Sequence, residues 1–278
     1  MISAPVEKSE ERLVREAAQS WETFWARTLS PQFVYSGRGF RPRLKAFIRR
    51  GGGFELACRI ADKALGKPRG KLILEAGSGS GEMGLRMAIK GNRVVMMDTS
   101  PAGLLHAKRR TQDLQVDTHP VRASVFHLPF KSDVFGGVFN AGVLDHFGPD
   151  YRRRALSEMI RVAKTGRRIA VLTNDARSFV HPRAMKHAQR KGTWPHGYKA
   201  ALSSLRAEVK SADTKCKVKE LSRGFISQFE FLRYYLPPES STVRLFFWFY
   251  FVISLPLSFL NYFPGQYLVT VIEKSDEA

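Results

Sequence analysis

The chain has 278 residues, which is enough for one large domain with a buried core. Hydrophobic residues make up 44% and charged residues 25%, so a disordered chain, a collagen and a disulfide-stapled mini-protein are excluded. Lys and Arg number 45 against 25 Asp and Glu, a net charge of +20. This excess favours an anionic partner: nucleic acid, an anionic membrane surface or a phosphorylated substrate.

The N-terminal third predicts two helices separated by a basic segment. Residues 7–29 place apolar side chains at spacings of three and four among charges, which is typical of an amphipathic helix. The stretch 38–50 then carries six basic residues and no acidic one. After three glycines, residues 54–65 suit a second helix. The opening residues lack the apolar core of a secretory signal, so we expect a cytoplasmic protein.

The cysteines predict no special chemistry. Cys58 and Cys216 lie far apart and neither has a CxxC companion. We therefore expect two reduced structural thiols, no metal site and no disulfide framework.

From residue 71 onward the sequence alternates between short apolar runs and helical segments. Strands are predicted at 72–74, 93–97, 116–122, 137–140 and 168–173, with helices at 83–90, 101–111 and 151–163. Apolar runs separated by helices indicate parallel strands in an open sheet that is covered on both faces. A last strand is predicted at 266–272, after a strongly basic stretch at 176–223.

The sharpest local signal is a glycine-rich loop that follows the first predicted strand. Residues 75–81 read EAGSGSG and lead directly into a helix. Glycines permit a tight turn and a close approach of the backbone to a ligand, and the helix start favours an anion. Asp98 ends the next strand, where a carboxylate can accept hydrogen bonds from two ribose hydroxyls. The pattern indicates a nucleoside site, against the alternative of a tight turn without a ligand.

Three further motifs follow in order: LPF at 128–130 before the fourth strand, VLDH at 143–146 after it, and KTGR at 164–167 before the fifth. With the glycine loop and Asp98, residues 71–173 resemble a class I S-adenosylmethionine-dependent methyltransferase. The sequence departs from the family at Ser124, where an acidic residue often stands, and at Gly136 and Thr165.

The resemblance implies a Rossmann-like, doubly wound α/β fold. Its sheet would be mostly parallel and seven-stranded, with helices on both faces, an N-terminal helical lid and a hydrophobic insertion before the last strand. The implied divisions are a lid at 1–66, a cofactor-binding core at 67–175, an acceptor-binding or membrane-facing region at 176–264, and a closing strand and tail at 265–278.

The same resemblance implies S-adenosylmethionine as cofactor and a set of residues that hold it. The expected cofactor-binding residues are Glu75, Gly77, Ser78, Gly79, Gly81, Asp98, Thr99, Ser124, Val125, Asn140, Ala141 and Gly142. Methyl transfer from a sulfonium is an in-line displacement, so alignment of the acceptor in a water-poor site can supply much of the catalysis.

A general base is needed only if the attacking atom must lose a proton. His146 is the candidate, with Asp145 beside it; the alternative is that His146 caps or packs the next helix. The aromatic residues Trp21, Trp25 and Tyr35 either cover the cofactor as a lid or pack the first helix on the sheet. The segment 194–198 is expected near the acceptor.

Two features of the sequence bear on the nature of the acceptor: the basic net charge and the run LFFWFYFVISLPLSFL at 245–260. This run is shorter than the roughly 20 residues of a membrane span. It can be a buried hairpin or helix, a transmembrane segment, or an interfacial element that enters lipid. The combination suggests a peripheral enzyme whose acceptor is a small molecule, for example a lipid, an isoprenoid or a lipid-linked group.

Other functions stay open at this point. An RNA methyltransferase would suit the charge, although the NPPY-type motif of base amino-group methylation is absent after the fourth strand. The run Gly79–Gly84 also fits the GxGxxG fingerprint of nicotinamide-dependent oxidoreductases, against which the LPF and VLDH segments argue. The last alternative is a cofactor-binding scaffold without catalysis.

Overall fold

The computed structural model describes residues 4–28, 53–194, 200–237 and 240–275. The predicted basic segment 38–50, Tyr35 and residues 195–198 lie outside the described residues.

The described chain alternates helices and strands. The strands are β1 (Leu72–Ala76), β2 (Arg93–Asp98), β3 (Thr118–Arg122), β4 (Gly137–Ala141), β5 (Arg168–Asn174), β6 (Lys217–Arg223) and β7 (Tyr267–Glu273). The helices are α1 (Ala4–Thr28), α2 (Gly53–Ala64), α3 (Glu82–Ile89), α4 (Pro101–Leu114), α5 (Pro149–Val162), α6 (His181–Arg190), α7 (Arg206–Ala212) and α8 (Ser241–Ser254). Short 3-10 helices span Leu144–His146, Ser227–Tyr235 and Ser258–Tyr262.

All seven strands form one sheet in the order β3-β2-β1-β4-β5-β7-β6. Strands β1 to β5 pair in parallel, and β7 runs antiparallel to both β5 and β6. The predicted fold class, a mostly parallel seven-stranded Rossmann-like sheet, is confirmed. The strand order reverses beside β1, which places a ligand-binding crevice at the carboxyl ends of β1, β2 and β4.

The sheet is buried on both faces because successive strand side chains point to opposite sides. In β1, Ile73 joins the core beneath α2, α3 and α4, whereas Leu74 joins the core beneath α5 and α7. Both side chains are fully buried. This two-sided burial accounts for the nearly continuous apolar sequence of the central strands.

The sixth strand was not among the predicted elements. It lies in the basic stretch 176–223, and its side chains alternate between more and less exposed positions. An edge strand with lysines on its open face gives only a weak apolar signal. The region 176–264 therefore supplies part of the core sheet as well as the helices around it.

The apolar run 245–260 forms most of α8 and the start of the helix that follows. One side of it is exposed: the exposed fractions are 54% for Leu245, 50% for Trp248 and 58% for Ile253, whereas Phe247 and Ser254 are buried. Of the alternatives for this run, a hairpin or helix buried on all sides is therefore wrong. Among the helices of the described residues, none is both long and apolar enough to cross a membrane.

The two cysteines are free and buried, as predicted. Burial raises the pKa of the Cys216 thiol to about 12 and that of Cys58 further still. Both thiols therefore stay protonated and unreactive.

Candidate functional site

A cavity of about 190 Å³ lies where the crevice is expected. Its floor is the loop after β1 together with Asp98 and Thr99 after β2, and one wall is formed by Ala141 and Gly142 after β4. Helix α1 covers it with Trp21 and other side chains. The cavity is smaller than the roughly 300 Å³ or more of most ligand pockets, and the aromatic residues Trp21 and Trp25 of α1 form part of its lining.

The loop after β1 requires glycine at two positions that line the cavity. Gly77 has a φ of +83° and Gly79 a φ of +53°, a region that side-chain-bearing residues rarely adopt. A Cβ at Gly77 would lie 2.6 Å from a methyl group of Val143, and one at Gly79 would lie 2.6 Å from the ring of Trp25. The loop is therefore a cradle of bare backbone, closely packed on both sides.

Asp98 connects this loop to the end of β2. Its two carboxylate oxygens accept hydrogen bonds from Gly79 N (2.7 Å) and Ser100 N (2.9 Å), and it lines the cavity. Burial raises the pKa of Asp98 although these backbone N–H groups oppose the rise. The backbone N–H of Thr99 also donates to this carboxylate, which still has room to accept a hydrogen bond from a ligand hydroxyl.

Glu75 lies beneath the loop instead of in the cavity. Its side chain is buried and accepts a hydrogen bond from Gly84 N at 2.9 Å. Burial raises the pKa of Glu75 well above its ordinary value of 4.5, and the negative charges of Asp98 and Glu82 add to this rise. In this position Glu75 holds α3 against the end of β1, so it shapes the loop from below.

We expect this buried carboxyl to make stability fall with rising pH. A folded-state pKa above 4.5 means that the native protein binds more protons than the unfolded chain from about pH 4.5 up to the raised pKa. The Glu75→Gln variant has no ionisable group at this position and therefore does not lose stability in this way. Across that window, the difference in unfolding free energy between the variant and the parent should grow by up to about 1.4 kcal/mol per pH unit in favour of the variant. Denaturant unfolding at a series of pH values measures the difference.

The matched control for that series is Glu158→Gln. The hydrogen-bonded Arg161 guanidinium lowers the pKa of Glu158, so its stabilisation is present above 4.5 and is lost as the pH falls through the lowered value. This variant should differ from the parent by a constant amount above pH 4.5. A Glu75→Gln variant that also runs parallel to the parent would contradict the assignment.

The end of β4 supplies backbone and one histidine to the cavity. Asn140 is buried, and its amide donates to Ala76 O, so it ties β4 to β1 and lies outside the cavity lining. His146 lines the cavity and meets the ring of Trp21 edge-on, with centroids 5.7 Å apart. Ala141 and Gly142 lie between Asn140 and His146 in the sequence, and both line the cavity.

Asp145 points away from the cavity. Its side chain is fully buried and accepts a hydrogen bond from the Asn174 amide at the end of β5, while its backbone oxygen accepts from Ala200 N at 2.7 Å. Asp145, predicted as a catalytic residue beside His146, is therefore outside the cavity lining. It holds the VLDH segment against β5.

Helix α1 is fixed over the cavity by contacts with α4. The Glu22 carboxylate accepts hydrogen bonds from the Ser100 hydroxyl and from Ala102 N (3.3 Å) at the start of α4, where the helix dipole favours a negative charge. Trp21 and Trp25 stack with centroids 5.9 Å apart, and both line the cavity. The lid interpretation of these two residues agrees with this placement.

Most of the predicted cofactor residues lie together. The cavity lining includes Gly77, Ser78, Gly79, Asp98, Thr99, Ser124, Val125, Ala141 and Gly142, but not Glu75, Gly81 or Asn140. Trp194 contacts Tyr234 and is likewise outside the lining. The lining residues that the sequence did not reveal are Ala17, Ala18, Met97, Ala123, Phe126, Val143 and Phe147. They are apolar residues next to the motifs, and nothing in their pattern separates them from core positions.

Residues 73–166 match the family model described as a methyltransferase domain. No curated protein matches the chain. Among solved structures, the chain is similar to geranyl diphosphate C-methyltransferase from Streptomyces coelicolor A3(2), with 16% identity and a TM-score of 0.57. That alignment covers 91% of this chain and 98% of the other.

The chain is also similar to the cyclase SpnF, with 15% identity, a TM-score of 0.56, and coverage of 93% of this chain and 95% of that one. Likenesses at this level of identity show the fold alone, and the presence of a cyclase among them illustrates that the fold does not fix the reaction. The match at 73–166 identifies a methyltransferase domain, a family that uses S-adenosylmethionine, and the sheet around it has the Rossmann-like fold of the similar structures.

The residues present fit this cofactor. A glycine cradle that any Cβ would fill lies beside the half-buried carboxylate of Asp98, which suits the backbone contacts and ribose hydroxyls of an adenosyl group. The Ser78 hydroxyl also lines the cavity, and within the described residues it has no hydrogen-bond partner.

Proposed function

We propose that this protein transfers a methyl group from S-adenosylmethionine to a small-molecule acceptor that is a lipid, an isoprenoid or a lipid-linked group. The observation that carries the proposal is the Asp98 carboxylate held against the glycine loop at the edge of an apolar, lidded cavity. When bound, the cofactor supplies an electrophilic methyl group on a sulfonium.

The chain's own residues bind, orient and exclude water. Asp98 would accept hydrogen bonds from the ribose hydroxyls, with Thr99, Ser124 and Val125 around the adenine. The bare backbone of the loop would lie against the methionine part. Trp21 and Trp25 would close the site against water, which strengthens electrostatic interactions inside it.

His146 would take a proton from an acceptor that has one to lose; the proposal is supported by its position in the cavity lining. Asp145 would act as a positioning residue for the VLDH segment, because its side chain is anchored to Asn174.

The donor assignment is tested by calorimetry with the purified protein. We expect S-adenosylmethionine and S-adenosylhomocysteine to bind and NAD(H) to leave no signal. Saturable binding of NAD(H), with no response to the methionine nucleosides at millimolar concentration, would replace the proposal by the oxidoreductase alternative.

The acceptor class rests on the apolar surface of the region 176–264 and on the net charge of +20. The similar structure from Streptomyces coelicolor was solved with geranyl diphosphate, an anionic isoprenoid. We expect label from methyl-labelled S-adenosylmethionine to enter a total lipid extract and not total RNA. Label that enters RNA alone would favour the RNA methyltransferase.

Replacing His146 by alanine should lower turnover on the identified acceptor by about a hundredfold or more while the affinity for S-adenosylhomocysteine stays unchanged. The reason is that general bases act on the acceptor proton and not on the donor. Turnover and calorimetry on the same preparation separate these effects. Unchanged turnover would mean that His146 only packs against Trp21.

A further inference from the structure

A second cavity of the described residues shares no lining residue with the cofactor cavity. It is a groove of about 930 Å³ between α2, the β6–β7 edge of the sheet, α8 and the 3-10 helix Ser258–Tyr262. Its floor contains Leu221, Val269 and Val271, and its outer wall contains aromatic residues of α8 and of the segment that follows. We call this cavity the edge groove.

The rim of the edge groove is strongly cationic. Six basic side chains line it (Arg59, Lys63, Arg168, Lys217, Lys219 and Arg223), against two carboxylates, Glu55 and Glu273. Each carboxylate already pairs with a rim arginine, at 3.6 Å for Arg59 and 3.5 Å for Arg168. Within the described residues, the four remaining cations have no carboxylate partner. A surplus of this kind favours an anionic ligand.

Three of these cations are placed by the strand period. Alternate residues of β6 share a face, so Lys217, Lys219 and Arg223 project on the same side as Leu221 and all four line the groove. The positive charges therefore lie directly beside apolar floor residues. An anionic amphiphile needs this arrangement, because its headgroup would contact the charges and its hydrocarbon chain the apolar floor.

Helix α8 adds an apolar surface that faces away from the protein. Phe247 and Ser254 are buried against the protein, whereas the opposite stripe is about half exposed. We call this stripe the apolar face: Leu245, Trp248, Phe249, Val252, Ile253, Leu255, Phe259, Tyr262 and Phe263. A helix that is apolar all round is normally covered on every side, so this exposed face points to a partner.

An exposed apolar face is most commonly covered either by a second copy of the chain or by a membrane, and the charge of the rim distinguishes these two partners. A second copy of the chain in a two-fold contact would bring the same cationic rim against itself, in a protein that already carries +20. An anionic bilayer offers hydrocarbon to the apolar face and phosphates to the rim at the same time. The observations favour the bilayer.

We propose that the apolar face and the edge groove form one docking surface for an anionic phospholipid membrane. Helix α8 has 14 residues, about 21 Å of helix, which is too short to span the roughly 30 Å hydrocarbon core and suits a position parallel to the surface. Trp248 and Tyr262 suit the headgroup level, because their rings are apolar with one polar end. Lys63, whose Nζ lies 5.6 Å from the Tyr262 ring centroid, brings a positive charge to the same level.

This docking surface deepens the proposed lipid-type acceptor, but its test measures binding and no methyl transfer. The full-length protein is floated with vesicles of phosphatidylcholine alone and with vesicles that also contain phosphatidylserine. We expect flotation only with the anionic vesicles at low salt, and its loss at about 1 M salt, where the Debye length is about 3 Å. Absence of flotation at low salt overturns the proposal.

Charge-reversed variants separate the rim from the overall charge. Lys217→Glu with Lys219→Glu should weaken vesicle binding by about thirtyfold or more, since each basic residue near an anionic surface contributes about 1 kcal/mol. The control, Lys108→Glu with Arg109→Glu on α4, changes the net charge by the same amount and should leave binding near that of the parent. Equal losses in both variants would overturn the proposal, because binding would then follow net charge alone.

The apolar face is tested with Trp248→Glu and Phe249→Glu together, against the control Leu105→Glu on α4, which is similarly exposed at 46%. The double variant should stop floating while it still binds S-adenosylhomocysteine, and the control should float normally. Sedimentation that shows a dimer of the parent and a monomer of the double variant would assign the face to a second copy instead. If the parent protein binds cofactor but does not float, the docking surface is wrong and the proposed function is unaffected. If it floats but does not bind cofactor, the proposed function is wrong and the docking surface is unaffected.

Discussion

Replacing Asp98 by alanine is expected to weaken the binding of S-adenosylhomocysteine by about a hundredfold or more. A hydrogen bond to a charged group contributes about 1.5–3 kcal/mol, and the proposed site loses two of them, hence about 3 kcal/mol at least. The variant also leaves Gly79 N and Ser100 N without their acceptor, so the loop beside the ligand loses its anchor. Calorimetry on the purified variant measures the loss.

The control for this experiment is Asp117→Ala, which removes a half-exposed carboxylate from the loop before β3 and should leave the affinity unchanged. The pH dependence provides an independent check. Burial raises the pKa of Asp98 above its ordinary 3.8, so this carboxylate becomes protonated at a higher pH than an exposed aspartate. As the pH is lowered, the affinity of the parent should therefore begin to fall at that higher pH. An Asp98→Ala variant that binds as tightly as the parent would remove the basis of the proposed function.

The central sheet could be predicted because its residues are subject to one dominant constraint. Strands buried on both faces must be apolar through their middle, as at 72–74 and 169–172, and glycine must stand where the chain turns sharply under a ligand. These signals come from local physics, so the first five strands and the glycine loop were visible in the sequence. The reversal of strand order at β1 then places Asp98 beside Gly79 without further information.

Strand β6 could not be predicted for the opposite reason. Lys217 and Lys219 occupy the open face of an edge strand, where charge is tolerated and the apolar pattern is diluted. Only its pairing with β7 defines it as a strand. A single sequence does not contain that long-range contact, so from sequence the stretch is predicted only as part of an acceptor-binding region.

The orientation of side chains was the other quantity that sequence could not supply. Glu75, Asn140 and Asp145 were correctly placed near the ends of the right strands, yet each points into the protein and accepts or donates a hydrogen bond there. Spacing along the chain gives the end of a strand but not the rotamer. The exposure of α8 belongs to the same class, because an apolar run is normally assigned to the interior.

The Gly77→Ala variant is expected to show the second large effect, a loss of cofactor affinity, because Gly77 is part of the glycine cradle. The added Cβ would lie 2.6 Å from Val143, a branched side chain that lines the cavity, so the loop or the VLDH segment must shift. We expect a loss of cofactor affinity of about tenfold or more, together with about 1–2 kcal/mol of stability from the left-handed backbone. Calorimetry and denaturant unfolding measure the two quantities separately.

Gly91→Ala is a closely matched control for this substitution. Gly91 has a φ of +86° against +83° for Gly77, but a Cβ there would have no atom within 4 Å. The two variants share the backbone strain and differ only in the steric contact, so Gly91→Ala should lose stability and keep its affinity. Adding Val143→Ala to Gly77→Ala removes the clashing methyl groups and should recover part of the affinity, a coupling that a double-mutant cycle quantifies. If affinity falls equally in Gly77→Ala and Gly91→Ala, or if Val143→Ala restores none of it, the close packing of the loop is not what shapes the cofactor site.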